Sequence, residues 1–211
     1  MICGRKTSIA VSQLLMVLFA TCALTTGERE RQILDYYTEA NRQKYADLLV
    51  DPQRYTTAGT DFHKKYYGHL IGIAGDIVEK KKLAVEKGSI GFYFDKRSGD
   101  RNRLYLGLDI DTKTSSDQSF EVAAATLIGR DLKEIIQTFN SCRSVFNEKE
   151  IIGMVIGWIW SSSGGVEHLS LWIVKEDFTK FEEGKITFDE LVQRSSITNT
   201  TGRVIRLKLY R

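Results

Sequence analysis

Apolar positions recur at helical spacing in the first part of the chain and at every second position in much of the rest. From Glu28 to Val50, the residues Ile33, Tyr37, Ala40, Lys44 and Leu48 lie near one helical face, with Leu34, Tyr45 and Leu49 beside them. That pattern predicts an amphipathic helix with a charged outer face. Asp51-Pro52 ends it, because proline is disfavoured inside a helix and suits a first turn behind an Asp cap. A second helix is predicted from a cap at Asp61 through Phe62, Tyr66, Leu70, Ile73 and Ile77 to about Glu86. Gly68, Gly72 and Gly75 interrupt it, each costing up to about 1 kcal/mol relative to alanine. The expected return is close packing against the first helix, giving an N-terminal helical hairpin.

At Ser89 the period changes to two. Ile90, Phe92 and Phe94, then Leu104, Leu106, Leu108 and Ile110, alternate with other residues on either side of a turn-forming stretch, which predicts a β-hairpin with one apolar face. Over residues 118–141 the spacing is helical again: Phe120, Ala124, Leu127, Ile128, Leu132, Ile135, Ile136 and Phe139 make a broad stripe, with Ser116 or Asp117 as cap. A second hairpin is predicted from 151–160 and 166–174, joined by Ser161 to Gly165, then short helical pieces, then a last strand over 203–209. The expected fold class is α+β: a mainly antiparallel sheet of about five strands, an N-terminal helical hairpin and one long central helix.

The beginning of the chain changes the setting of this domain. Arg5 and Lys6 precede an apolar run from Ile9 to Ala23 that is shorter than the roughly 20 residues a bilayer span wants. Residues 1–26 therefore read as a cleaved signal peptide and 27–211 as a single α+β domain that is exported to the periplasm or cell envelope, or else secreted. Leu18-Phe19-Ala20-Thr21-Cys22-Ala23 resembles the end of a bacterial lipoprotein signal. The resemblance implies a lipid anchor on Cys22, although Thr21 stands where such signals carry Gly, Ala or Ser; ordinary cleavage after Cys22 or Ala23 is the alternative. Of 30 basic residues two lie in the signal, so the rest balance the 27 acidic ones almost evenly. A near-neutral domain has no field for phosphate backbones, so nucleic acid is not an expected partner. Beyond the signal, Cys142 is the one cysteine left, which excludes an internal disulfide framework.

Candidate chemistry is sparse, and no cofactor motif occurs. Leu108-Asp109-Ile110-Asp111-Thr112-Lys113-Thr114 resembles the paired-aspartate start of haloacid-dehalogenase-type phosphatases, but Lys113 stands where that motif carries Thr or Val. A calcium loop beginning at Asp109 would need glycine at its sixth position and an acid at its twelfth, where Phe120 stands. The bland expectation is two solvent-facing aspartates ending a strand. His63 and His69 are six residues apart and so on different helix faces, and His168 has no acid at fixed spacing; no metal site is expected. Asn199-Thr200-Thr201 is a glycosylation sequon.

The second hairpin carries all three tryptophans. With a five-residue loop Trp160 pairs with Val166, Trp158 with His168 and Met154 with Trp172, so Trp158, Trp160, His168 and Trp172 share one face, with Trp160 the least covered. The opposite face of the first strand of that hairpin carries Gly153 and Gly157, which leave room for a helix. The bland expectation is a central hairpin covered on both sides, with Trp158 and Trp172 packed under the N-terminal helices. The functional expectation is a non-enzymatic binding or assembly protein that uses the tryptophan face for a protein, lipid or small-molecule ligand, its only membrane contact a lipid on Cys22. The alternative is a hydrolase with dispersed residues, with Asp109, Asp111 and His168 as first suspects.

Overall fold

The two periodicities become a helical layer and a sheet in the computed structural model, which describes residues 25–55, 57–96, 99–115 and 117–207. The apolar run at 9–23, Cys22 and residues 208–211 lie outside the described residues. The first helix, α1 (Thr26–Asp35), opens with a capping box: Glu28 N–H donates to Thr25 Oγ1 at 3.3 Å and Thr25 N–H to Glu28 Oε2 at 2.6 Å. The single helix expected over 28–50 is in fact α1, then α2 (Glu39–Tyr45), then a 3₁₀ turn at Ala46–Leu48. The break falls where the Thr38 hydroxyl accepts the Asn41 N–H at 3.2 Å, so a residue that competes with helical bonding starts a new helix instead. Asp51-Pro52 behaves as expected, opening a 3₁₀ turn in which Asp51 Oδ1 accepts the Gln53 N–H.

The second expected helix is also divided, into α3 (Thr57–Lys65) and α4 (Tyr67–Gly75), followed by a π turn at Asp76–Lys80. Asp61 lies within α3 rather than at its cap. The glycines of α4 face α1: a Cβ at Gly72 would sit 2.3 Å from the Ile33 carbonyl oxygen, and one at Gly75 would sit 2.4 Å from the Tyr36 ring. Their helix-propensity cost thus allows two helices to approach to backbone contact. No helix of the described residues is long and apolar enough to cross a membrane.

The sheet has six strands among the described residues, in the order β1 (Gly91–Phe94), β2 (Leu104–Ser115), β3 (Ile151–Ser162), β4 (Gly165–Val174), β5 (Ser196–Thr198) and β6 (Val204–Ile205). Every neighbouring pair is antiparallel except β2 and β3, which run parallel because α5 (Phe120–Asn140) and α6 (Arg143–Phe146) carry the chain back between them. The cap of α5 is Ser119, which accepts the Val122 N–H, rather than Asp117; Ser116 lies outside the described residues. Two further helices, α7 (Lys175–Glu182) and α8 (Phe188–Arg194), separate β4 from β5.

The register of the second hairpin differs from the expected one by a single residue. Ser162 pairs with Gly165, leaving a two-residue turn, and Trp158 pairs with Leu169, Trp160 with Glu167 and Val155 with Trp172. Because side chains alternate faces, this slip moves Trp172 and His168 to the side opposite Trp158 and Trp160. The physical reason is burial: the observed register places Leu169, Leu171 and Ile173 on the core face, each with no exposed surface, where the expected one would have placed His168 and Ser170. The turn itself helps, since Ser162 Oγ accepts the Gly164 N–H and donates to the Gly165 carbonyl.

The sheet therefore has two unlike faces. The inner one, carrying Phe92, Leu106, Leu108, Ile110, Met154, Ile156, Trp158, Trp160 and the β4 aliphatics, merges with the helices in the main core. Helices α3 and α5 meet it through Phe62 against Phe92, Phe120 against Trp160, and the Trp158 indole N–H donating to Asp131 at 3.2 Å. On the outer face lie Tyr93, Tyr105, Asp109, Val155, Ile159, His168 and Trp172, and none of these belongs to that core.

Candidate functional site

The expected tryptophan face does not exist as a surface. Trp158 is fully buried and Trp160 is 3% exposed against Phe120, so both are core, and α5 reaches Trp158 through Asp131. Trp172 alone of the three is half-buried, on the outer face, where Tyr105 meets it edge-on with ring centroids 5.0 Å apart. The glycines of β3 admit no helix. A Cβ at Gly153 would sit 2.9 Å from the Tyr105 ring, and one at Gly157 would sit 1.9 Å from Asp109 Oδ1 and 2.8 Å from His168 Nε2. The room is filled by side chains of the neighbouring strands.

Gly157 thereby lets two of the suspected catalytic residues meet. Its neighbours in the sheet are Asp109 on β2 and Ser170 on β4, and across it Asp109 Oδ1 stands 3.4 Å from His168 Nε2. The Asp109 side chain is 27% exposed and that of His168 37%, so the pair is open to solvent on one side. The backbone of Asp109 is fastened by Ser89 Oγ, which accepts its N–H at 3.1 Å, and by the Glu86 N–H, which donates to its carbonyl. His168 is fastened through its N–H to Thr200 Oγ1 at 2.8 Å, and Thr200 donates in turn to Glu167 at 2.6 Å. Tyr93, on the same face, gives its hydroxyl proton to the Ser89 carbonyl; burial first and the Asp109 charge second push its phenol well above the ordinary tyrosine range.

The aspartates do not end a strand, as their spacing suggests. β2 continues to Ser115, and both side chains belong to the outer face. Asp111 is half-buried, and its carboxylate accepts the N–H of Lys113, whose φ of 48° marks a left-handed kink. The acid that His168 lacks in the linear sequence is thus supplied by Asp109, 59 residues away, and no spacing rule could have shown it.

A second polar junction has no sequence signal at all. His69 Nε2 stands 3.0 Å from Glu30 Oε1 and 3.1 Å from Ser144 Oγ, while the Ser144 N–H donates to the same Glu30 oxygen at 3.1 Å. Burial opposes the charge of Glu30, but the hydrogen bonds from Ser144 and His69 together hold it below the ordinary carboxylate range. Serine and acid share one imidazole nitrogen, whereas a serine–histidine–acid relay uses both nitrogens. The junction ties α1, α4 and α6 together. Beside it Cys142 is fully buried, and burial pushes its thiol far above the usual range. Among the described residues, no group of three His, Cys, Asp or Glu side chains is placed to hold a metal ion. No family model, no curated protein and no solved structure matches this chain.

Proposed function

We propose that this chain is an exported binding protein whose partner contacts the outer sheet face, through Trp172, His168 and Asp109. The observation that carries this reading is the asymmetry of the tryptophans: Trp158 and Trp160 are consumed by the core, while Trp172 lies half-buried on the outer face, on the strand that carries His168. Asp109 and Asp111 put negative charge on the sheet face that also carries the Tyr105–Trp172 pair, a combination that attracts amines and guanidinium groups through Coulomb and cation–π terms. The partner class that fits is a peptide or protein segment presenting Lys or Arg. Export rests on the charged and apolar pattern of residues 1–26; cleavage after Cys22 or Ala23 would leave the Thr25 cap of α1 in place, and a lipid on Cys22 would tether the domain beside that helix.

The test uses the mature protein and a tryptophan-free arginine-rich peptide, with its glutamate counterpart as control. Titration calorimetry should detect the basic peptide only, and Trp172→Ala or Asp109→Asn should weaken it at least tenfold in a protein that still melts cooperatively. Unchanged affinity in both variants would sink the reading. A second reading is favoured by the 3.4 Å contact of Asp109 with His168, which fits a hydrolase that uses the imidazole as general base. Hydrolysis of an activated ester such as p-nitrophenyl acetate, abolished by Asp109→Asn and untouched by Trp172→Ala, would replace binding with catalysis. Intact mass of the exported protein checks the first step; a soluble form retaining Met1 would remove the basis for export.

A further inference from the structure

Along the edge of β1, where Val50 and Arg54 lie beside Gly91 and Tyr93, the 3₁₀ turn at Pro52–Arg54, helix α3 and the loop around Gly88 line an open cleft of about 550 Å³. That volume lies in the range of small-molecule sites. Its walls are largely apolar, with Leu49, Val50, Pro52 and Tyr67, and Leu49 and Val50 are themselves nearly buried. Besides Tyr67, four side chains in it carry ionisable groups, and two of them are already engaged. Asp47 pairs with Lys87 at 2.9 Å, and Asp51 accepts the Gln53 N–H at 2.9 Å. The other two are Arg54 and His63. Among the described residues, no hydrogen bond or ion pair occupies the Arg54 guanidinium, and the same side chain also lines a smaller adjoining cavity of about 140 Å³ beside Tyr93 and Phe94.

His63 is only 5% exposed, so what its ring nitrogens meet matters. Tyr55 Oη accepts the Phe92 N–H at 3.2 Å, from the unpaired edge of β1. That leaves the phenolic proton free to be donated to His63 Nδ1, 3.4 Å away. Gly91 makes the approach of Tyr55 feasible, since a Cβ there would lie 2.0 Å from the Tyr55 oxygen. With Nδ1 accepting, Nε2 carries the proton and is a donor for which no described residue provides an acceptor. Burial lowers the His63 pKa, against a smaller opposing pull from Asp51, so the ring is neutral near pH 7.

We infer that this cleft binds a small organic anion, a carboxylate or phosphate on an apolar body, with the charged group held by Arg54 and the His63 Nε2–H and the body laid against Val50, Pro52 and Tyr67. A positive charge and a neutral donor facing one apolar cleft recognise that class, because the buried His63 donor gains an acceptor from an anion that also pairs with the exposed Arg54 guanidinium. The inference stands apart from the outer-face reading and shares no residue with it.

The experiment titrates the mature protein, by chemical shift and by calorimetry, with phenylacetate, phenyl phosphate, inorganic phosphate and the neutral phenylacetamide. Phenylacetate or phenyl phosphate should bind at least tenfold more tightly than phenylacetamide, the stronger of the two telling carboxylate from phosphate; inorganic phosphate should bind more weakly than phenyl phosphate. Arg54→Gln, at an exposed position, should lose at least tenfold, and His63→Phe, which keeps an aromatic ring of similar size, several-fold. Should His63→Phe fold poorly, His63→Gln takes its place. Equal binding of phenylacetamide and phenylacetate, no binding of either anion at millimolar concentration, or full affinity in Arg54→Gln would each overturn the assignment.

Discussion

Each face of the sheet carries a tryptophan and an aspartate, and the two sets are held differently. On the inner face, Trp158 donates to Asp131, a carboxylate 2% exposed that also takes a two-point contact from Arg130 at 2.6 and 2.8 Å. Every polar atom there has a partner inside the fold, which is what a core demands of a buried charge. On the outer face, Trp172 leans on Tyr105, and Asp109 shares its charge with His168 at 3.4 Å, a looser contact with both side chains partly open. The inner pair is committed to stability. The outer pair keeps hydrogen-bonding capacity that a partner can use, and it owes its geometry to the absence of a side chain at Gly157.

Truncation should break the comparison most visibly. Trp158→Ala should cost about 3–5 kcal/mol in urea unfolding, because a fully buried indole leaves a cavity. Trp172→Ala, outside the main core, should cost less than half of that; equal costs would mean that the outer face is core as well. Next comes Asp131→Ala, which strands the Trp158 indole N–H and should cost about 1–3 kcal/mol, whereas Asp109→Ala should stay within about 1 kcal/mol because its partner is a half-exposed histidine.

Gly157→Ala sharpens the comparison from the opposite direction. Its methyl group would push Asp109 and His168 apart, so the expected loss is about 1–2 kcal/mol of overpacking together with a change in the NMR chemical shifts of the His168 ring. Unaltered ring shifts would show that the two side chains do not meet across Gly157.

Smaller still are the pH effects. His63, held below its ordinary 6.5, and Glu30, held below its ordinary 4.5, both have depressed folded-state values. Each contributes stability above its unfolded pKa that is lost as pH falls through the folded one. The melting temperature should therefore begin to fall below pH 6.5 from His63 and again below pH 4.5 from Glu30, and His63→Phe should remove the first decline only. The least effect is expected from reductant: Cys142 is a buried free thiol, so dithiothreitol should leave the melting temperature of protein lacking residues 1–24 unchanged, and a thiol reagent should label Cys142 only after unfolding.

Much of this architecture was written locally. The period of two in Leu104 to Ile110 and in Met154 to Trp160 determined that these segments are strands with one core face, and the stripe from Phe120 to Phe139 determined the central helix. The glycines of α4 even pointed to their partner, α1. Helix interruptions were less legible, because Thr38 and Tyr66 break the chain where the apolar spacing continues. What only the tertiary structure decided were the pairings. Period alone does not say which strand lies beside β2, and the parallel partner β3 arrives through α5. Nor does it set the hairpin register, where one residue more or less in the turn moves every side chain of β4 to the other face; the burial of Leu169, Leu171 and Ile173 settled it, and Trp172 went outward as a result. The meetings of Asp109 with His168 and of Tyr55 with His63 follow from those pairings, since contacts across a sheet or along its edge depend on which strands are neighbours, a property of the folded chain that residue spacing does not carry.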